Sequence, residues 1–138
     1  MSEIRRGEVE DLPQVAAIQA ASPETAQWDV AQYMQYDLRV AIRQNRVVGF
    51  LVARSVAGDE QELLNLAVAP ECRRLGIARQ LLKSLLEYFR GTVFLEVRES
   101  NRAAIGLYKS LNFQYVNRRN GYYKSPPEAA IVMKFHSC

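Results

Sequence analysis

A basic turn between an apolar segment and a helical pattern is the first feature of this sequence that could bind a ligand. The turn reads Arg73-Arg74-Leu75-Gly76-Ile77-Ala78. It follows the apolar residues 63–68 and precedes apolar residues that recur at helical spacing. A helix that begins there directs free backbone N–H groups and the positive end of its dipole at the turn, which suits an anion such as a pyrophosphate. Arg79 and Lys83 add positive charge. A strand–turn–helix connection with a solvated basic face would give the same pattern.

A glutamate in a β-rich segment could act as a general base. Glu96 lies in Val93-Phe94-Leu95-Glu96-Val97, where strand alternation places it on the face of Phe94 and opposite Val93, Leu95 and Val97. A carboxylate that is held away from full hydration keeps a proton more strongly and can accept one from a substrate. A solvated strand residue with no catalytic role is the alternative.

The next helical segment carries two further polar candidates. Tyr108 shares a helix face with Ala104 and Leu111, and its neutral phenol could donate a proton, although a core tyrosine would occupy the same position. Asn101 stands where the segment begins and could cap it. Cys72 lies beside Arg73, but no histidine is near it in sequence to serve as its base, so the pattern does not indicate a covalent route.

Hydrophobic spacing and turn residues predict the elements that must position these side chains. Strands are predicted for residues 4–6, 39–43, 47–56, 62–68, 92–97, 115–122 and 130–135, with Gln44-Asn45-Arg46 as the turn of a strand pair. Helices are predicted for residues 11–18, 29–34, 78–89 and 101–111, the first two capped by Asp11 and Asp29. Strands dominate both ends, which is typical of an α/β or α+β fold.

These motifs resemble the GCN5-related N-acetyltransferases. The signature of that family is Arg or Gln, two residues, Gly, one residue, then Gly or Ala, and Arg73, Gly76 and Ala78 occupy its three positions. Residues 65–70, 95–101 and 104–113 keep the order and spacing of the branch that acetylates the N-terminal alanine of a bacterial small-subunit ribosomal protein. Arg118-Arg119-Asn120 and Tyr122-Tyr123 extend the resemblance.

The resemblance implies one domain over residues 1–138, with a mixed, mostly antiparallel sheet of about seven strands and about four helices. It also implies acetyl-coenzyme A as co-substrate and no metal. The implied coenzyme-binding residues are Leu66, Ala67 and Val68 through their backbone groups, Arg73, Arg74, Leu75, Gly76, Ile77 and Ala78 at the pyrophosphate, and Asn101 at the pantetheine arm.

Direct transfer within a ternary complex is the mechanism that the resemblance implies. Glu96 would be the base, and Tyr108 would protonate the departing thiolate. The N–H of Val68 is the candidate donor to the oxyanion.

The sequence indicates the acceptor substrate less specifically than it indicates the coenzyme. The family branch carries an Arg-Glu-Asp-Ala run in a loop that borders the peptide channel, whereas this chain reads Ser125-Pro126-Pro127-Glu128-Ala129-Ala130. The N-terminus of an acceptor protein, with a ribosomal protein suspected, is the leading hypothesis, and a small-molecule amine or a lysine side chain are its rivals. A non-catalytic module that binds acyl-coenzyme A is the competing class, but such a module would need neither Glu96 nor Tyr108.

Composition supports a globular protein. Of its 138 residues, 49% are hydrophobic and 24% are charged. The net charge of +3 is too small to predict direct nucleic-acid binding, but it suits a phosphate-bearing partner. The two cysteines and one histidine form neither a disulfide framework nor a metal cluster. Because the sequence has no signal core and no apolar run of membrane-spanning length, we expect a cytoplasmic protein without a membrane partner.

Overall fold

A computed structural model describes residues 2–124 and 127–137 of the chain, and within them seven strands form one sheet. The strands are β1 (Glu3–Arg6), β2 (Asp37–Arg43), β3 (Arg46–Ala57), β4 (Glu60–Val68), β5 (Thr92–Arg98), β6 (Gln114–Lys124) and β7 (Pro127–His136). Their order in the sheet is β1-β2-β3-β4-β5-β7-β6. The pairs β1–β2, β2–β3, β5–β7 and β6–β7 are antiparallel, and β4–β5 is parallel. The predicted mixed, mostly antiparallel sheet is therefore confirmed.

The four predicted helices are present, with differences in type and length, and two short 3₁₀ helices occur that the sequence did not predict. The α-helices are α1 (Leu12–Ala20), α2 (Ile77–Leu86) and α3 (Arg102–Ser110), and the 3₁₀ helices are Val9–Asp11, Val30–Gln35 and Pro70–Cys72. The second predicted helix is thus a 3₁₀ helix. Asp29 caps it as expected, because its side chain accepts a hydrogen bond from the N–H of Ala31 at 3.1 Å. The helix α2 ends at Leu86 rather than continuing to Phe89.

The predicted cap of α1 is wrong. Asp11 precedes α1, but its side chain makes no capping hydrogen bond to that helix. The 3₁₀ helix Val9–Asp11 runs directly into α1, and Asp11 Oδ2 instead accepts from the N–H of Glu8 at 2.8 Å. The guanidinium of Arg5 donates to both carboxylate oxygens at 2.8 and 2.9 Å. This hydrogen-bonded ion pair lowers the pKa of Asp11.

The chain divides into two compact units, each with its own buried side chains. The first comprises Met1–Arg54 and Leu64–Phe89, and the second comprises Ser55–Leu63 and Arg90–Cys138. Members of the first core are Val15, Tyr33, Phe50, Leu51, Ile77, Leu81 and Leu82. Members of the second core are Val93, Leu95, Tyr108, Phe113, Ala130 and Met133. The first unit therefore contains the basic turn, and the second contains Glu96, Asn101 and Tyr108.

The β2–β3 hairpin shows how local chemistry sets one of the elements. Its two turn residues, Gln44 and Asn45, have φ angles of 52° and 63°. Positive φ at both central residues is the geometry of a two-residue hairpin turn that matches the twist of the flanking strands. The strand pair predicted around these residues is confirmed.

Among the residues that the structure describes, no helix is long and apolar enough to cross a membrane.

Candidate functional site

The basic turn of the first unit has the backbone geometry of an anion site. Arg74 has a φ of 65°, and Gly76, the residue that precedes α2, has φ 78° and ψ 13°. A left-handed residue followed by a helical one directs successive N–H groups to a common side, which forms a concave anion-binding arrangement. A Cβ built on Gly76 would meet no described atom within 4 Å, so the space beside the turn is open. The first turn of α2 carries no acidic residue. The turn therefore fits a pyrophosphate.

Arg73 contacts protein groups on both sides of the turn. Its Nε donates to the carbonyl oxygen of Val68 at 3.2 Å, and one terminal nitrogen donates to Ser22 Oγ at 3.0 Å. The same nitrogen lies 3.6 Å from a carboxylate oxygen of Glu24. Arg73 thus joins the end of β4 to the segment after α1, and these contacts favour a role in shaping the turn. Arg74 is exposed, which leaves its side chain open to solvent.

A buried polar network supports the end of β4, and sequence reasoning missed it. The side-chain nitrogen of Asn65 shares its two hydrogens among three acceptors: Ala26 O at 2.9 Å, Tyr33 Oη at 3.1 Å and Gln19 Oε1 at 3.2 Å. The hydroxyl of Tyr33 also donates to Gln19 Oε1. Asn65 Oδ1 accepts from the N–H of Leu66 at 3.0 Å. The network thereby fixes the strand just before Ala67 and Val68, both of which are buried. Its sequence signal was one amide side chain within the apolar residues 63–68.

In the second unit, β5 shows the alternation that the sequence predicted. Val93, Leu95 and Val97 are buried, whereas Phe94 and Glu96 on the other face are partly exposed. The side chain of Glu96 is 20% exposed. Partial exposure keeps the carboxylate accessible while most of its surface is covered, as a proton acceptor for a bound substrate requires.

Two side chains of β6 reach Glu96, and we call these three residues the Glu96 cluster: Glu96, Arg119 and Tyr122. A guanidinium nitrogen of Arg119 donates to Glu96 Oε2 at 3.1 Å. Arg119 also stacks over the ring of Tyr122, 4.5 Å from its centroid. Burial, followed by the charge of Glu96 and a hydrogen bond to it, raises the pKa of Tyr122.

A β-bulge makes this cluster possible. Residues three apart on a regular strand point to opposite faces, which would separate Arg119 from Tyr122. The register between β6 and β7 shifts between Arg119 and Tyr123, and Gly121 has a φ of 63°. Between Arg119 and Tyr123, β6 has two more residues than β7, and this irregularity changes the direction of its side chains, as bulges beside functional sites commonly do.

Tyr108 is buried in an aromatic cluster. Its ring centroid lies 5.5 Å from that of Phe113, which lies 5.6 Å from that of Phe135. Burial is the main cause that raises the pKa of Tyr108, and Tyr123 adds to it. Burial and then the charge of Glu96 raise the pKa of Tyr123 to about 12. Both phenols therefore keep their protons at neutral pH, and Tyr123 interacts electrostatically with both catalytic candidates.

The side chains of Asn101 and Glu128 both accept hydrogen bonds from backbone N–H groups of residues 100–104. Asn101 Oδ1 accepts from the N–H of Ala104 at 3.2 Å, which confirms the predicted cap of α3. Glu128 lies 3.2 Å from a guanidinium nitrogen of Arg98, and its Oε2 accepts from the N–H of Ser100 at 2.5 Å. The glutamate that matches the family's loop therefore ties β7 to the end of β5. Ser125 and Pro126 of that loop lie outside the described residues.

No group of three or more His, Cys, Asp or Glu residues that could hold a metal ion occurs in the part of the chain that the structure describes.

Comparison with known proteins identifies the class to which this fold and these residues belong. Residues 3–113 match the acetyltransferase (GNAT) family, and the chain belongs to that family. Its predicted activity, acetyl-coenzyme A-dependent N-acetylation, is thereby confirmed.

Individual relatives match the sequence and the fold of this protein over nearly its whole length. The [ribosomal protein bS18]-alanine N-acetyltransferase of Escherichia coli (strain K12) is 35% identical over 142 residues, which cover 96% of each protein. The crystal structure of the ribosomal-protein-S18-alanine N-acetyltransferase from E. coli superposes with a TM-score of 0.86 at 31% identity, covering 100% of this chain and 96% of that one. Ard1 from Thermoplasma volcanium superposes with a TM-score of 0.88 at 26% identity, over 99% and 98% of the two chains. The predicted family branch and fold are confirmed by this agreement.

Proposed function

We propose that this enzyme acetylates the N-terminal α-amine of a protein, with the N-terminal alanine of a small-subunit ribosomal protein as its acceptor. The observation that carries the proposal is the 35% identity, over 96% of both chains, to an enzyme named for that acceptor. A cytoplasmic location follows from the same proposal, because the acceptor is made there.

The coenzyme would bind at the basic turn and at the end of β4. The N–H groups of residues 76–78 supply donors for the pyrophosphate, and the adjacent Arg74 adds a positive charge. Leu66, Ala67 and Val68 would pair with the pantetheine amides through their backbone groups, as an added strand does. Asn101, which caps α3, is the further candidate for the pantetheine arm. The Asn65 network and Arg73 hold this strand end in place.

Glu96 and Tyr108 would carry the proton transfers. A terminal α-amine has a pKa of about 7.7–8.0, so much of it is protonated near neutrality and must lose a proton before it attacks. Glu96 accepts that proton. The amine nitrogen then bonds to the thioester carbonyl carbon, and the oxyanion is held by a backbone donor, for which the N–H of Val68 is our candidate. As the C–S bond breaks, Tyr108 gives its phenolic proton to the departing sulfur. The bonded nitrogen loses its second proton to solvent, which leaves a neutral amide, and solvent reprotonates the phenol.

The acceptor is tested by measuring steady-state acetylation of peptides that differ only in the first residue. Ala-, Ser-, Leu- and Lys-initiated peptides should be compared with a free polyamine. We expect the Ala-initiated peptide to react fastest and lysine side chains to react poorly, because a pKa near 10.4 leaves far less neutral amine. A polyamine that reacts faster than every peptide would overturn the protein acceptor and leave the acetyltransferase activity intact.

Two isosteric variants test the catalytic roles. Glu96→Gln should lower kcat by about 10²–10⁴-fold, since it keeps the shape and removes the base. Tyr108→Phe should slow thiolate departure. Calorimetry should find the acetyl-coenzyme A affinity of both variants near that of the wild type. Full activity of Glu96→Gln at neutral pH would exclude this carboxylate as the base.

A further inference from the structure

The carboxylate of Glu96 has a cationic partner that the proposed mechanism does not use. A guanidinium nitrogen of Arg119 lies 3.1 Å from Glu96 Oε2. The side chain of Arg119 is 52% exposed, and that of Glu96 is 20% exposed. The cation is thus the more exposed member of the pair. An acceptor amine that approaches Glu96 would meet the guanidinium of Arg119 beside the carboxylate.

Other charged and titratable groups lie on β5 and on the strands β4, β6 and β7. From β5 itself comes Arg98, which Glu128 of β7 compensates at 3.2 Å. From β6 come Tyr122 and Tyr123, whose raised pKa values keep them neutral at pH 7. Lys134 of β7 is the register partner of Phe94 and not of Glu96. The charge of Glu62 on β4 acts on Tyr122. A guanidinium nitrogen of Arg119 donates directly to Glu96 Oε2.

We propose that Arg119 is a positioning residue, which orients Glu96 and favours the neutral form of an acceptor amine bound beside it. The inference rests on the proposed role of Glu96. An ammonium group near a second cation loses its proton more readily, because the like charge disfavours the protonated form. Arg119 would therefore increase the fraction of acceptor that can attack at neutral pH.

The size of the effect follows from screened Coulomb interaction. Two like charges about 5 Å apart in a well-solvated site should lower the pKa of the bound acceptor amine by about 0.5–1 pH unit. Only the deprotonated amine reacts. Removal of the Arg119 charge should therefore reduce kcat at pH 7 by about 3–10-fold. The same change should lower KM for the acceptor, because the ammonium would no longer be repelled.

The experiment measures kcat and KM against pH, with an Ala-initiated peptide, for the wild type, Arg119→Gln, Arg119→Lys and Arg118→Gln. We expect Arg119→Gln to move the acid limb of kcat upward by about 0.5–1 pH unit and to recover wild-type kcat at high pH. Arg119→Lys keeps the charge and should largely restore the wild-type profile. Arg118→Gln is the matched control, because Arg118 points to the opposite face and pairs with Glu99 at 2.7 Å. It should leave the profile unchanged.

An unmoved acid limb in Arg119→Gln, or a loss of kcat that is equal at every pH, would overturn the inference. Glu96→Gln separates the two proposals. If it is inactive while Arg119→Gln shows no shift, the role of Arg119 alone is refuted. If it is fully active, the proposed base and the inference fail together.

Discussion

Removal of the Asn65 side chain tests how the end of β4 is held. Asn65→Ala removes the amide nitrogen that donates to Ala26, Tyr33 and Gln19, and the oxygen Oδ1 that accepts from the N–H of Leu66. Gln19 and Tyr33 keep their mutual hydrogen bond, so the groups left without this partner are the carbonyl of Ala26 and the N–H of Leu66. A lost partner costs about 1–3 kcal/mol for a buried group. Both groups are partly exposed, so water can compensate in part, and we expect a total loss of about 2–3 kcal/mol.

Urea unfolding followed by circular dichroism measures this loss directly. A decrease of about 2–3 kcal/mol corresponds to a fall in Tm of about 6–15 °C for a chain of this length. Tyr33→Phe removes one hydroxyl and should cost about 1 kcal/mol. The double variant should show a coupling energy of at least about 0.5 kcal/mol, because Asn65 and Tyr33 are in contact.

The same variant should also weaken coenzyme binding. If residues 66–68 bind the pantetheine arm, disorder at Leu66 should raise the Kd for coenzyme A in calorimetry. A stability loss below about 0.5 kcal/mol, or strict additivity of Asn65→Ala with Tyr33→Phe, would refute the reasoning that the network acts as a unit.

Two further predictions concern the basic turn and the pH dependence of stability. Gly76→Val should reduce coenzyme A affinity in calorimetry. Gly58→Val is the control, because Gly58 is another open turn position with a φ of 47° and the substitution has a similar backbone cost; it should bind coenzyme A normally. Equal affinities of the two variants would refute a pyrophosphate site at the turn. Asp11→Asn should lower the free energy of unfolding at pH 7 by about 1–2 kcal/mol, because Arg5 loses its charged partner. Since the folded state lowers the pKa of Asp11, this stabilisation is present above the ordinary carboxyl pKa and lost as the pH falls through the folded value. Urea unfolding at pH 7 and pH 3 should therefore show a difference between wild type and variant that shrinks in acid, and a constant difference would contradict the assignment.

Features that depend on near neighbours could be predicted from the residues alone. The alternation of β5, with Glu96 opposite Val93, Leu95 and Val97, follows from the two-residue period of a strand. The caps at Asp29 and Asn101 follow from side chains that accept from an N–H two or three residues away. Their geometry is set within one turn of chain, so no distant contact was needed to specify them.

Features that depend on residues distant in sequence required the tertiary structure. The pattern around Asp11 predicts a helix cap. The carboxylate of Asp11 instead accepts hydrogen bonds from the guanidinium of Arg5 and from the N–H of Glu8, the residue that precedes the first 3₁₀ helix. The Asn65 network joins three elements, and the contact of Arg119 with Glu96 spans two strands separated by α3. Arg119 and Tyr122 meet because β6 bulges between Arg119 and Tyr123, which interrupts the regular alternation of side chains along the strand. Local periodicity therefore specified the faces of the elements, while strand pairing decided which charged side chains meet.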